Sequence, residues 1–217
     1  MADSTPWIAR ESGPEDRKFS PAAERNRDVI ADALLRLLPS SGTVLEIASG
    51  TGQHISHFAT LRPDLTFQPS DISSDALRSI TAWVAESGGG ANILPPIHLD
   101  VLAQDAEAQF EDDALAAVMC INLMHISPWE ASEALFRLAG KWLPRGAPLF
   151  VYGPFFQAGV ETAPSNIAFD ENLRGRDTRW GIRSIEKVRE AASANGFDMP
   201  EVTAMPANNL SLAFRRS

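Results

Sequence analysis

The chain has 217 residues, 44% of them apolar and 22% charged, which suits one folded, soluble α/β domain with decorations and excludes collagen-like, low-complexity and wholly disordered chains. Its 28 acidic against 19 basic side chains leave a net charge of -9, a field that repels phosphate backbones and anionic membranes, so neither nucleic acid nor a membrane is an expected partner. Cys120 is the one cysteine, so an internal disulfide is impossible and a reducing, cytoplasmic setting is expected.

Residues 1–19 are polar, lack the apolar centre of a secretory signal and read as a flexible leader to a single domain over residues 20–217. Ser20-Pro21 pairs an N-cap with a proline at the first helical position, and Val29, Ile30, Ala33, Leu34, Leu37 and Leu38 lie on one face of the helix that follows, ended by residues 39–42. Residues 43–48 read as a buried strand running into the glycine turn Ser49-Gly50-Thr51-Gly52 and then a helix over 53–61. A second strand over 65–69 ends at Ser70-Asp71, a helix covers 74–86 before Gly88-Gly89-Gly90, and a short third strand over 97–99 ends at Asp100. The fourth strand spans 116–123, after which Ser127-Pro128-Trp129-Glu130 has the form of a capping box opening a helix to Trp142.

A fifth strand follows over 148–152. Strands alternating with helices argue for parallel pairing and right-handed crossovers. Two segments break the rhythm. Residues 153–183 show little periodicity where a short connection is expected, so this stretch reads as a substrate insertion. At the end of the chain a helix over 184–195, stopped by Gly196, precedes strands over 202–205 and 210–215, close enough for an antiparallel hairpin. The expected fold is a doubly wound, seven-stranded, mostly parallel sheet with that hairpin at its edge.

Ligands of open α/β sheets sit beyond the carboxyl ends of the strands, which here carry Gly50 and Gly52, Asp71, Asp100 and Asn122. A nicotinamide fingerprint needs a third Gly or Ala three positions after Gly52, where Ile55 stands, so an oxidoreductase is disfavoured. The stretch Glu46-Ile47-Ala48-Ser49-Gly50-Thr51-Gly52 instead resembles motif I of the Rossmann-like S-adenosylmethionine methyltransferases, an acid followed by G-x-G-x-G with Ala48 in place of the first glycine. The terminal hairpin resembles the last strands of the same fold.

Across almost the whole length, Ser20-Pro21-Ala22-Ala23-Glu24-Arg25-Asn26, Gln68-Pro69-Ser70-Asp71, Asn122 with His125-Ile126-Ser127-Pro128-Trp129, Trp180-Gly181-Ile182-Arg183 and Pro206-Ala207-Asn208-Asn209-Leu210 resemble the methyltransferase-like 26 family, also called DUF938 or UPF0585. Members often carry Tyr-Lys where this chain has Phe156-Gln157. The resemblance implies S-adenosylmethionine as cofactor, held by Arg25, Asn26, Glu46, Ala48, Ser49, Gly50, Gly52, His54, Asp71, Ile72, Asp100, Val101 and Asn122. Within that set Gly50 and Gly52 lie beside the methionine portion, Asp71 on the ribose, Asp100 and Val101 near the adenine, and Arg25 and Asn26 on a helix folded over the donor. A cationic sulfonium also suits an acidic pocket better than a dinucleotide pyrophosphate does.

Plainer readings stand beside these. Glu46 either anchors the donor amine or caps backbone N–H groups, and Asp100 either faces the adenine or caps a short turn. His54 and His57 are spaced for a metal, but no further ligands complete a set, so no metal is expected. His125 is either a general base for the acceptor or a satisfied core histidine, and Tyr152 either orients an acceptor or fills the rim. Arg174 and Arg183, with Asn166, are the expected acceptor-binding residues, for a small molecule that is anionic if those guanidiniums meet it. A methyltransferase fold serving as a non-catalytic binding module is the competing class.

Overall fold

The computed structural model describes residues 16–86 and 90–217. Its main sheet has seven strands in the order β3-β2-β1-β4-β5-β9-β8. The first five are β1 (Thr43–Ile47), β2 (Thr66–Asp71), β3 (Ile97–His98), β4 (Ala117–Ile121) and β5 (Pro148–Gly153), all mutually parallel. A pair of short strands, β6 (Phe155–Phe156) and β7 (Arg183–Ser184), forms a separate parallel ribbon. The last two, β8 (Glu201–Met205) and β9 (Asn209–Arg215), add antiparallel to the β5 edge. Strand order reverses between β1 and β4, which opens a crevice at their carboxyl ends.

Both faces of the central strands are covered, so β4 and β5 are buried along their whole length rather than alternating, whereas the edge strand β8 is largely exposed. On one face Val44, Met119 and Phe150 pack under α1 (Pro21–Leu34) and α2 (Gln53–Leu61) through Ile30, Leu34, Ile55 and Phe58. Beside α2 lies α3 (Ser74–Glu86). On the opposite face Leu45, Val118, Leu149 and Phe214 meet α4 (Trp129–Trp142) and α6 (Ile185–Ala194) through Leu135, Trp142 and Val188. Cys120 lies in that second layer, its thiol pushed up to about 12 by burial and so unreactive. Among the described residues no helix is long and apolar enough to cross a membrane.

The sequence signals for α1 hold at its start: the Ser20 side chain accepts from the Ala23 N–H, with proline next. Its end differs, since the helix stops at Leu34 and residues 35–37 form a turn rather than continuing to Leu38. The capping box before α4 does not form. Pro128 is the N-cap and makes no side-chain bond, while the Ser127 hydroxyl donates to the Leu123 carbonyl at 2.9 Å. Two of the three residues of the glycine run after α3, Gly88 and Gly89, lie outside the described residues, as do residues 1–15 of the expected leader. Its last part, residues 16–19, is tied to α3: Lys18 Nζ meets Asp75 at 3.1 Å, the Lys18 carbonyl accepts from Trp83 Nε1 at 2.7 Å, and the Arg17 guanidinium lies over the Trp83 ring.

Inside the expected insertion the chain folds a helix, α5 (Pro164–Arg176), that the sequence pattern did not suggest. The reason is physical: only Asn166 and Leu173 of its residues are buried, so no apolar stripe recurs along it. Phe155 pairs with Arg183 in the β6–β7 ribbon, which staples the start of the insertion to its end.

Candidate functional site

The chain leaves β1 through a turn in which Ala48, Gly50 and Gly52 all have left-handed backbones, with φ of 58°, 59° and 90°. Ala48 takes the conformation a glycine would adopt without strain, at a cost of about 1–2 kcal/mol. Gly52 has a second reason to lack a side chain, because a Cβ there would lie 2.8 Å from the Ile80 Cα of α3. Ser49 knits the turn to β2: its N–H donates to the Ser70 carbonyl at 2.8 Å and its hydroxyl to the Glu46 carbonyl at 3.3 Å. Its hydroxyl therefore serves the turn rather than facing a ligand.

Asp71, at the end of β2, accepts from the Gly50 N–H and from the Ser73 N–H, each at 2.9 Å. Burial raises its pKa and those backbone donors oppose the rise. A carboxylate has about four lone-pair sites, so acceptor capacity remains toward the crevice.

Glu46 is fully buried, and neither carboxyl oxygen has a hydrogen-bond partner among the described residues. The hydroxyls of Ser49 and Ser70 donate to the Glu46 backbone carbonyl, at 3.3 and 2.7 Å. The capping reading is thereby set aside: this acid caps nothing. Burial pushes its pKa up to about 8; the neighbouring Ser49 side chain opposes the rise and the nearby Asp71 adds to it. An orphaned buried carboxyl costs several kcal/mol unless a ligand group completes it.

Beyond the turn opens a cavity of about 320 Å³. Its walls come from Ile47, Ala48, Gly50, Asp71, Ile72, Asp100 and Val101 on one side. On the other side stand Ile121, Leu123, Ile126, Pro128, Arg179 and Trp180. Six expected cofactor residues thus gather in one place. Asp100 lines the cavity, and its Oδ1 accepts the Leu102 N–H at 2.9 Å, the contact of the capping reading. Trp180 and the apolar wall after β4 carry no site signal in the sequence, since a cavity wall of Leu, Ile and Pro has no signature until the loops are folded.

Three expected residues, His54 on α2, Asn26 on α1 and Tyr152 on β5, gather on the sheet face that carries Glu46. His54 is buried and its pKa is lowered to about 4 by burial, so the ring is neutral and its Nε2–H donates to Asn26 Oδ1 at 2.8 Å. The Asn26 side chain also neighbours the Tyr152 hydroxyl and opposes the rise in its pKa that burial causes. These three form one chain from α2 through α1 to β5. Arg25 is exposed on α1.

At the ends of β4 and β5, Asn122 is held left-handed at φ 63° with its N–H on the Tyr152 carbonyl at 2.8 Å. A Cβ on Gly153 would lie 3.3 Å from His125 Nδ1 and 3.7 Å from Asn122 Oδ1, so two polar atoms converge above that glycine. His125 is buried beside the Phe169 ring, and burial, helped by Arg183, pushes its pKa down to about 3.

The expected anion receptors are otherwise engaged. Arg174 pairs with Asp170 at 2.7 Å. The Arg183 guanidinium donates through Nε and Nη2 to the carbonyls of Met124, Ser127 and Arg179 at 2.9, 2.6 and 2.8 Å, so it clamps two loops and has only Nη1 left over. Arg179 is locked on Asp177 through two bonds of 3.0 and 2.7 Å. Asn166 does not reach the main cavity; it lines a second one, described below. No group of three or more His, Cys, Asp or Glu able to hold a metal occurs among the described residues.

Solved structures with this architecture include an O-methyltransferase family protein from Burkholderia thailandensis, at a TM-score of 0.77 and 13% identity over 90% of this chain and 56% of that one. The S-adenosylmethionine-dependent methyltransferase SibL aligns at 0.73 and 17% over 90% and 55%. A geranyl diphosphate methyltransferase bound to GPP and sinefungin aligns at 0.68 and 12% over 88% and 78%. At these identities the likeness is one of fold, and this chain spans little more than half the length of the first two. The model of the family described as "Protein of unknown function (DUF938)" matches residues 17–216, and the chain belongs to that family.

Proposed function

We propose that the chain is an S-adenosylmethionine-dependent methyltransferase for a small-molecule acceptor, in the branch called methyltransferase-like 26, working in the cytoplasm as one domain over residues 20–217 with residues 153–183 shaping the acceptor side. The orphaned carboxyl of Glu46 beneath a glycine turn carries this reading, because a buried acid with no partner fits a ligand ammonium. Methyltransferases named for S-adenosylmethionine, mitomycin and geranyl diphosphate share the fold.

The residues suit such a donor along its length. Within the cavity Asp71 would hold the ribose hydroxyls through its free lone pairs, and Ile72, Val101, Leu123 and Ile126 the faces of the adenine, with Asp100 at its amine; Glu46, fully buried and outside the lining, would hold the ammonium. When bound, the donor would supply an electrophilic methyl to a lone pair of the acceptor, the carbon–sulfur bonding pair staying with sulfur as a neutral thioether.

This chain's part is alignment and exclusion of water. Asn122 Oδ1 and His125 Nδ1, converging above Gly153, would orient the acceptor atom. With its pKa near 3, His125 is too weak a base to take a proton, so its role is that of a neutral hydrogen-bonding group and the acceptor proton passes to solvent. Tyr152, beside Asn26, belongs to the donor's amino-acid end more than to the acceptor. Titration calorimetry with S-adenosylmethionine, S-adenosylhomocysteine and NAD tests the proposal: the first two should bind with micromolar affinity and NAD should not. Absence of binding by the first two would sink it.

A further inference from the structure

A second cavity, of about 200 Å³, lies between α5 and the turn joining β8 to β9. Phe155, Gln157, Asn166, Met205, Asn209 and Leu210 line it. Its place in the fold is informative. Leu210 pairs with Gly153, the glycine above which Asn122 and His125 converge, and Phe155 follows two residues later. The main cavity reaches β4 at Ile121, whose register partner on β5 is Tyr152, next to Gly153. With strands about 4.8 Å apart, Ile121 of the main cavity and Leu210 of the second stand on the two strands flanking the end of β5, roughly 10 Å apart along the backbone.

The chemistry of the lining is narrow. Asn166 is 8% exposed, and its Nδ2 donates to the Asn208 carbonyl at 3.0 Å, which fixes the amide plane. Its Oδ1 accepts no hydrogen bond among the described residues, and the Gln157 carboxamide has no partner there either. The Nδ2 of Asn209 is held by the carbonyls of Pro206 and Ala207, at 3.1 and 3.3 Å, leaving its oxygen over. The one ionisable side chain in the lining is Glu161, which repels anions. The arginines of the insertion are on ion pairs, carbonyls or, for Arg176, the Trp180 ring. Carboxamide oxygens with no cation nearby recognise uncharged donors such as hydroxyl, ring N–H or amide N–H groups.

We infer that this second cavity is the acceptor subsite and that the acceptor is an uncharged, hydrogen-bond-donating molecule about the size of one ring, rather than an anion. The inference rests on the methyltransferase reading. The cavity is smaller than the roughly 300–1,000 Å³ of drug-sized sites, which sets the size.

The test uses the full chain saturated with S-adenosylhomocysteine, whose binding is measured first; without it the methyltransferase reading fails, separately from this inference. Ligand-detected NMR then follows uracil, nicotinamide and methyl glucoside, with benzoate and benzylamine as charged counterparts. At least one neutral probe should bind with a millimolar Kd, and Asn166→Leu should weaken it at least tenfold. Gln157→Leu, at a half-buried position where the amide bonds nothing, should weaken the same probe without a change in thermal melting. The inference is overturned if only a charged probe binds, if no neutral probe binds, or if both variants leave the affinity of the neutral probe intact.

Discussion

The Gly50 N–H donates to Asp71 Oδ2 across 2.9 Å, so the turn after β1 and the end of β2 form one rigid unit. The same carboxylate receives the Ser73 N–H on its other oxygen. A ligand that meets Asp71 therefore meets a group already oriented by the backbone on both sides.

Replacing Asp71 by Asn puts an NH2 where one backbone N–H now finds an oxygen. The loss of an acceptor for a part-buried donor costs about 1–3 kcal/mol. Asp71→Asn should lower thermal stability by that order and weaken S-adenosylhomocysteine at least tenfold by calorimetry. A variant that loses stability but keeps full affinity would show that Asp71 serves the turn alone.

The two glycines of the turn should answer differently to alanine. Gly50→Ala meets nothing within 4 Å and carries only the left-handed strain, about 1–2 kcal/mol. Gly52→Ala adds a 2.8 Å approach to the Ile80 backbone, so the total rises to about 2–5 kcal/mol and α2 must move from α3. Denaturant unfolding of the pair checks the order. Ala48→Gly should gain stability for the converse reason.

Stability should fall toward both ends of the pH scale. Glu46 has a folded pKa of about 8 against 4.5 unfolded, so the folded state holds the extra proton between those values and stability drops as pH rises through that window. Glu46→Gln should remove this loss: its melting temperature should match the wild type near pH 4 and exceed it by several degrees at pH 9. His54 works in the opposite sense. Its folded pKa of about 4 lies below 6.5, so the unfolded state holds the extra proton and stability drops as pH falls from 6.5 toward 4. His54→Gln, which keeps a donor for Asn26, should flatten that acid limb by about one proton.

Arg183 should behave as a clamp and not as a substrate receptor. Arg183→Lys cannot reach three carbonyls at once, so the loops bearing Ile126, Ser127 and Pro128 and bearing Arg179 and Trp180 should part. The expected result is a loss of about 2–3 kcal/mol in stability and weaker S-adenosylhomocysteine binding, with hydrogen exchange rising in both loops. A wild-type exchange pattern would count against the clamp.

Much of this architecture is legible in the residues. Ser20-Pro21 announced α1, and the run from Glu46 to Gly52 announced the strand and turn, because glycine placement and strand apolarity are local properties. Asp71 and Asp100 followed from the rule that strand ends carry function. The insertion was the failure. With two buried residues α5 has no periodic signal, and the arginines that looked like an anion receptor are claimed by Asp170, Asp177 and backbone carbonyls that no spacing reveals.

By itself, then, the sequence determined the order of the elements and the left-handed turn, since backbone preferences and apolar periodicity act within a few residues. Only the tertiary structure decided which polar groups are free. The Glu46 carboxyl oxygens have no hydrogen-bond partner among the described residues while Ser49 and Ser70 donate to its backbone carbonyl, whereas most of Arg183 is engaged because two loops bring three carbonyls to it. Whether a side chain can bind a ligand depends on the partners it already has, and those come from parts of the chain far apart in sequence.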